Sequence, residues 1–455
     1  MVRSLLRVCG VLLSVVCCSA ELWAQPAEIS ADWKSELNEH IPASGEVKLF
    51  RISGSNTIGA HLAPSLVSTF FAAEGLTNIE EQPVGENEIA VSGVWNGGSR
   101  PLKLVVTVAA HGSSTGFKAL DLGDADLAAS SRPINAGELL TLAQLGNMSD
   151  SDHEHIIAID GLAIIVNPAN PLTQLTTRQI TDLFTGKIRS WKDVGGASAP
   201  VRIYARDDQS GTYDTFERLV LRGAALSSQA LRFESNDLLA RSVMADANGI
   251  GFVPLANVAA TKALRVSDGV ALGLAPTTLT VATEDYPLSR RLYFYAADVG
   301  SRSAALSAFL AFVSTDAGQT VVDKVGFVAQ ALHPVTVEPS DARLQRWQRL
   351  NLNIRFADGS SDLDNKARAD VARLVEYLDQ HAAGDLQLTL VGYSNPATLR
   401  NQATLSRLRA QNVRWALRDK GVRGKLETLA GAAVSVADPA SINADRNRRV
   451  EVWVR

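Results

Sequence analysis

The chain has 455 residues, of which 46% are hydrophobic and 20% charged, with a formal net charge of −4. This is the composition of a soluble globular protein with no low-complexity tract, too long for one ordinary core, so two or three domains are expected. Residues 1–340 carry 25 Lys+Arg against 35 Asp+Glu, and residues 341–455 carry 19 against 13; this shift from acidic to basic places a domain boundary near 340.

The first 24 residues have the layout of a secretory signal. Arg3 and Arg7 precede an apolar run, Val8 to Val16, and small residues follow at Ser19, Ala20 and Ala24, so cleavage is expected after Ala20 or Ala24. All three cysteines, Cys9, Cys17 and Cys18, lie in this segment. The mature protein then has no disulfide, thiol nucleophile or thiolate metal site. Ser14-Val15-Val16 before Cys17 lacks the small residue usual before a lipidated cysteine.

Residues 25–46 read as a polar lead-in. From Val47 to about Val335, strand-like and helical runs alternate, which predicts an α/β architecture with mostly parallel sheets. The strand-like Val47 to Ile52 runs into Ser53-Gly54-Ser55-Asn56-Thr57-Ile58, and the strand-like Leu104 to Val108 runs into His111-Gly112-Ser113-Ser114-Thr115-Gly116. Glu86 to Val108 reads as a hairpin turning at Trp95 to Gly98. A helix over Thr176–Thr185 starts at a Thr cap and stops at Gly186.

The third small-hydroxyl turn is Tyr204-Ala205-Arg206-Asp207-Asp208-Gln209-Ser210-Gly211-Thr212-Tyr213. Backbone NH groups at a helix start, two hydroxyls and a guanidinium can surround an anion with donors, with Asp208 holding the Arg206 fork. Three such turns at strand-to-helix junctions can converge on one anion, or serve as three independent helix caps. His153-Glu154-His155 has the spacing of a strand, not of a helical zinc motif, and no Gly-Lys-Ser/Thr phosphate loop is present. Neither a metal, a cofactor nor an enzymatic activity is expected.

After Pro334, residues 336–350 read as a linker. Strands over Leu352–Phe356, Leu386–Val391 and Arg449–Val454 alternate with helices over about Asn365–His381 and Leu405–Lys420, a βαβαβ sandwich domain over 351–455.

The series Gly54-Ser55-Asn56-Thr57, Gly112-Ser113-Ser114, Ala129-Ser130-Ser131-Arg132-Pro133, Asp182-Leu183-Phe184-Thr185-Gly186-Lys187-Ile188, Arg206-x-x-x-Ser210-Gly211-Thr212 and Tyr286-Pro287-Leu288-Ser289-Arg290 resembles the periplasmic phosphate-binding proteins of ABC transporters. The resemblance covers 47 to about 330, within a domain taken as 47–335. It implies a two-lobed, hinged type II periplasmic-binding-protein fold closing on one dehydrated phosphate held by Ser55, Asn56, Thr57, Ile58, Ser113, Ser114, Ser131, Arg206, Asp208, Ser210, Gly211 and Thr212. Ser131 stands where phosphate binders of this kind often carry an aspartate that accepts the proton of hydrogenphosphate, which leaves phosphate against sulfate open. Arg132 either adds charge to the site or forms a surface ion pair, and Asp160 is expected on a hinge strand.

Phe356-x-x-Gly-Ser-Ser, Val391-Gly392-Tyr393-Ser394-Asn395, Leu405-Ser406-x-x-Arg409-Ala410 and Asn447-Arg448-Arg449-Val450-Glu451 resemble the OmpA-like peptidoglycan-binding domain. The resemblance implies that Arg409 takes the carboxylate of diaminopimelate. Asn395 stands where that family carries the aspartate for its ammonium, and an amide cannot neutralise that charge. The combined expectation is an exported phosphate receptor in the periplasm, associated with the cell wall or outer membrane. Its expected partners are inorganic phosphate, peptidoglycan and an ABC permease encoded elsewhere, with no nucleic acid. The alternative is an envelope structural or adhesive protein whose anion site is a relic.

Overall fold

The computed structural model describes residues 33, 34, 37, 44–208, 210–298, 303–339, 341–356, 363–381, 386–395, 402–432, 434–441 and 443–455. The leader with its three cysteines, most of the lead-in and the Gly359-Ser360-Ser361 motif lie outside them.

The chain opens with β1 (Glu46–Gly54), α1 (Asn56–Gly59), α2 (Leu62–Ala73), β2 (Thr77–Gly85), β3 (Glu88–Trp95), β4 (Leu102–Ala110), α3 (Ser113–Leu122) and β5 (Leu127–Ser130). β1 lies between β4 and β5, parallel to both, so the turns that leave β1 and β4 emerge at one edge of the sheet. The expected hairpin is present, with Ile89 opposite Val108 and Val91 opposite Val106, but β4 belongs to the central sheet. Only β2 and β3 form the added edge.

β6 (Glu154–Val166) links the lobes. It is followed by β7 (Gln174–Thr176), α4 (Thr177–Phe184), β8 (Arg202–Arg206), α5 (Gly211–Phe216), β9 (Leu231–Phe233), α6 (Asn236–Ala245), β10 (Gly249–Pro254), β11 (Lys262–Ala263), β12 (Arg265–Ser267), α7 (Thr278–Ala282) and β13 (Ser289–Ala296). One mixed sheet runs through both lobes in the order β2-β3-β4-β1-β5-β13-β6-β10-β8-β9, with β11 also on β6. The first lobe is parallel at β4-β1-β5 and the second at β10-β8-β9. The hinge strands are antiparallel, because β13 pairs with both β5 and β6 and β10 returns along β6.

Each lobe has its own core. Ile52, Phe70, Phe71, Leu104, Phe294 and Phe309 fill the first; Ile164, Phe184, Trp191, Phe216, Phe252 and Tyr286 fill the second. The division falls within β6, where Ala158 packs in the first core and Ile159 in the second. α4 starts at the Thr176 capping box with Gln179, as the sequence predicts, and Gly186 follows its end at φ 74°.

α8 (Ala304–Val313) and α9 (Asp316–Val325) complete the first lobe. β7 and β12 pair as a separate small sheet, and a third sheet contains β14 (Pro334–Val335), β15 (Gln348–Arg355), β16 (Leu388–Gly392), β17 (Leu426–Ala430) and β18 (Arg449–Val454), in the order β14-β15-β18-β16-β17, under α10 (Asn365–Gln380) and α11 (Gln402–Asp419). The stretch read as a linker is folded onto this domain: β14 pairs with β15, and Leu344 and Trp347 pack with Tyr393 and Trp453.

Candidate functional site

Glycine sets the first turn. Gly54 ends β1 at φ 137°, and a Cβ there would sit 2.1 Å from the carbonyl oxygen of Ala129, so only glycine lets β1 turn this close to β5. The turn delivers Ser55, Asn56 and Thr57 to the start of α1. The hydroxyl of Ser55 and the Oδ1 of Asn56 are buried without a hydrogen-bond partner among the described residues. An unsatisfied buried acceptor or hydroxyl is costly, so these groups are poised for a polar ligand. The NH of Ile58, in contrast, is already used, donating to the carbonyl of Ser55 at 3.2 Å.

The second turn places Ser113 at the start of α3, 2% exposed. Ser131 follows β5, and its NH donates to the Ser113 Oγ at 3.2 Å. The third turn brings Gly211 onto the first. Thr57 Oγ1 donates to the carbonyl of Gly211 at 3.0 Å, and a Cβ on Gly211 would lie 2.4 Å from the Thr57 Cα. The two lobes therefore touch backbone to backbone at Thr57 and Gly211. α5 is held in place by Phe216, which stacks on Phe252 with centroids 3.8 Å apart. Ser210 caps α5 through the NH of Tyr213.

At the centre stands Arg290 on β13, 8% exposed, which closes the Tyr286–Arg290 motif but was not among the expected site residues. Its Nη2 donates to Thr57 Oγ1 at 2.7 Å and also meets the Thr215 hydroxyl; its Nη1 reaches Asp214 at 3.2 Å and its Nε reaches Asp160 at 3.3 Å. Asp160 lies on hinge strand β6, as expected, and accepts from Thr215 Oγ1 at 2.8 Å. Asp214 also accepts from Ser131 Oγ at 3.0 Å and from Arg218 Nε at 3.2 Å. Burial pushes the Asp214 carboxyl up, but the Arg290 and Arg218 guanidinium groups and the Ser131 hydrogen bond outweigh it and hold it below the ordinary value. Burial lowers the Arg290 pKa against the opposing pull of Asp160 and Asp214. The sequence signal for Arg290 was its place at the end of the Tyr286–Arg290 motif, at the start of a mostly apolar strand where a guanidinium must find partners or a ligand.

Arg206 leaves this cluster. Its Nε donates to the carbonyl of Phe233, its Nη2 to that of Glu234 and its Nη1 to Asn236 Oδ1. Asp208 does not hold it, in correction of the sequence expectation: parallel pairing of β8 with β9 sets Arg206 opposite Phe233 and leaves Asp208 to Arg232 at 2.5 Å. Arg206 and Thr212 line, together with Asn56, Thr57, Ser210, Gly211 and Asp160, an open cleft of about 600 Å³. Arg132 forms a two-pronged ion pair with Glu138 at 2.6 and 2.7 Å and also takes the Ser114 hydroxyl at 3.0 Å. That bond to Glu138 raises the Arg132 pKa and directs the charge to the surface of the first lobe.

In the third sheet domain, Arg409 Nη1 donates to Ser394 Oγ at 2.7 Å and to the Tyr393 carbonyl at 3.2 Å, and its guanidinium lies 5.7 Å from the Phe356 ring centroid. Asn395 Nδ2 reaches the Pro439 carbonyl at 3.5 Å. Arg409 and Asn395 thus flank one short stretch, Tyr393–Asn395. Among the described residues, no group of three or more His, Cys, Asp and Glu side chains could hold a metal ion.

Comparison with known proteins matches two parts of the chain. Residues 100–317 match the PBP superfamily domain, and residues 355–450 match the OmpA family. The phosphate-binding protein PstS of Staphylococcus epidermidis is 33% identical over 229 residues, covering 48% of this chain and 68% of that protein. Protein SphX of Synechococcus elongatus is 29% identical over 266 residues, 56% of this chain and 76% of that protein. A solved structure described as a possible phosphate binding protein from Planctomyces limnophilus superposes with a TM-score of 0.50 at 23% identity, covering 62% of this chain and 93% of that one. That superposition shows the two-lobed fold.

Proposed function

This chain belongs to the family of PstS phosphate-binding proteins, and on that premise we propose that it captures inorganic phosphate between its two lobes and is held near the cell wall by its OmpA-family domain. The observation that carries the reading is the convergence of Thr57, Ser113 and Ser131, from three separate segments of the first lobe, on the guanidinium network of Arg290, Asp214 and Asp160. Beside it lie the buried, unpartnered Ser55 hydroxyl and Asn56 carbonyl. The donors among these groups, the Arg290 guanidinium and the Ser55 and Ser113 hydroxyls, are of the kind that suits a tetrahedral oxyanion stripped of water. Phosphate binding requires the Thr57–Gly211 contact to part and re-form, with β6 and β13 as the crossing strands. Arg290 is the cation of the site, and Arg206 is a latch on the second lobe facing the entrance. An exported receptor of this kind would hand its anion to a permease in another chain, or retain it at the envelope.

The test is isothermal titration calorimetry of the mature protein, freed of bound anion by unfolding and refolding, against phosphate. One-to-one binding is expected, weakened at least about tenfold by Arg290→Lys, which keeps the charge and loses the fork. No heat in the wild type would defeat the receptor reading and leave the envelope structural role, with the anion site as a relic.

A further inference from the structure

Among the described residues, Trp33, Trp95, Trp191, Trp347 and Trp453 are buried, whereas Trp415 is 56% exposed. Trp415 lies on α11, whose Ser406, Ala410, Val413 and Leu417 face the domain core. Spacings of three and four residues put Leu405, Leu408, Asn412 and Trp415 on one stripe of the opposite side, where Leu405 and Leu408 are 36% and 45% exposed. An indole and two leucines gathered on one exposed stripe mark an interaction surface more than three scattered side chains would.

Charge decides what covers this stripe. Arg407 and Arg414, seven residues apart, run beside it, and neither guanidinium has a hydrogen bond or ion pair among the described residues. By contrast, Arg409 is tied to Ser394, and Arg418 to the carbonyls of Val422 and Gly424 at 2.7 and 2.8 Å. The exposed Lys420 and Arg423 extend the positive charge past the end of the helix, and Asp419 is the sole carboxylate of α11. A second copy of the chain would set these arginines against each other, whereas an anionic surface neutralises them. No single helix among the described residues is long and apolar enough to cross a membrane; α11 has instead the pattern of a basic amphipathic helix that lies along one.

We propose that the exposed face of α11 docks on an anionic phospholipid surface, with Leu405, Leu408 and Trp415 entering the headgroup layer and Arg407 and Arg414 pairing with lipid phosphates. The two residue types suit two parts of one interface: an indole settles at headgroup level, and a guanidinium takes a phosphate through its fork. The contact is reversible and salt-sensitive, because three apolar side chains and a few charges fall far short of an inserted helix. It is independent of phosphate capture, since none of these residues lies in the two lobes, and Arg409, turned to Ser394, takes no part in it.

The experiment is co-sedimentation of the full mature protein with vesicles of mixed phosphatidylglycerol and phosphatidylcholine, and with vesicles of phosphatidylcholine alone. Wild type is expected to bind the anionic vesicles at least about tenfold more tightly than the neutral ones, and to release them as salt rises. Arg407→Gln and Arg414→Gln should each weaken binding about fivefold, and Trp415→Ala about tenfold through its lost apolar surface, with circular dichroism unchanged in all three. Equal binding to both vesicle types, or to neither, overturns the proposal. So does binding to anionic vesicles that all three variants retain, which would place the contact on another basic patch. A wild-type dimer in sedimentation velocity without lipid, dissociated by Trp415→Ala, would give the face to a second copy instead. If Trp415→Ala does not fold, the two arginine variants decide, and wild-type binding in both overturns the inference.

Discussion

Arg290 and Arg291 are neighbours on β13 and serve opposite faces of it. Arg290 enters the anion cluster with Thr57, Asp160 and Asp214, whereas Arg291 turns away to Glu284 at 2.6 Å and to Asp364, at the start of α10 in the C-terminal domain, at 3.0 Å. Strand alternation produces this division. One hinge strand therefore carries the arginine of the buried inter-lobe cluster on one side and a domain fastening on the other. The fastening is extensive: Asp285 is surrounded by Arg349, Arg355 and Asn353, Arg446 donates to the Tyr286 carbonyl at 2.7 Å, and Ser441 donates to Asp268 at 2.7 Å. The C-terminal domain is thereby fixed to the second lobe and the hinge, not suspended on a loose tether.

Arg291→Ala is expected to destabilise the protein by about 3–5 kcal/mol, because it strands the buried carboxylate of Glu284. Burial pushes Glu284 up, but Arg291 more than reverses this and holds it well below the ordinary range. Denaturant unfolding measures the loss. A change under about 1 kcal/mol would mean that Glu284 is solvated or re-paired with Arg355, which lies at 3.5 Å.

Acid should loosen the domain junction. Burial raises the Asp285 carboxyl, but Arg449, Arg349 and Arg355 outweigh it and hold the folded-state pKa below the ordinary 3.8. A carboxyl depressed in the folded state contributes stability that is complete above its unfolded value and is lost as pH falls through the folded one. Wild type is thus expected to lose stability below about pH 4. Asp285→Asn, already destabilised at neutral pH, should lose less, so that the two melting curves approach each other. Parallel curves from pH 7 to 3 would remove Asp285 from this role.

Much of the architecture was legible because periodicity and turn chemistry are local. The Thr176 cap and the Gly186 stop, the strand at Arg449–Val454 and the hydroxyl turns at Ser55 and Ser113 fall where the residues indicate. The partners of Arg206 and Asp208 were not legible, since they depend on which strand lies beside β8, and β9 has only three residues, Leu231–Phe233, with an exposed flank. The role of Arg290 was hidden for a related reason. Its sequence neighbours describe a buried strand, and its role appears only when β13 is threaded between β5 and β6. β17 escaped because Leu426–Ala430 is short and only half-buried.

Gly211→Ala should disable capture without unfolding either lobe. A methyl group there would meet the Thr57 backbone at 2.4 Å, well inside contact distance, and rigid backbone on both sides cannot yield. The lobes would be held apart, with a loss of phosphate affinity of at least about a hundredfold expected from misplacing one half of the donor set. Calorimetry gives the affinity and circular dichroism the fold. Wild-type binding in a folded variant would show that Thr57 and Gly211 are not in contact when the anion is held.

The proposed hold on the cell wall turns on a single position. Arg409 is in place, tied to Ser394 and the Tyr393 carbonyl, and burial lowers its pKa with help from the like charge of Arg448. A carboxylate of a cell-wall peptide would relieve both effects. For the ammonium of the same peptide, the matching position is the Asn395 amide, which offers a neutral dipole where a charge-assisted bond would be about twice as strong. Asn395→Asp is therefore expected to tighten binding to purified sacculi about tenfold in a sedimentation assay, and more at low salt than at high, since the added term is Coulombic. The gain must vanish in Asn395→Asp/Arg409→Ala, because one charge cannot orient a zwitterionic group. Equal sedimentation of wild type and Asn395→Asp at every salt concentration would show that the domain's hold on the wall does not run through this stretch.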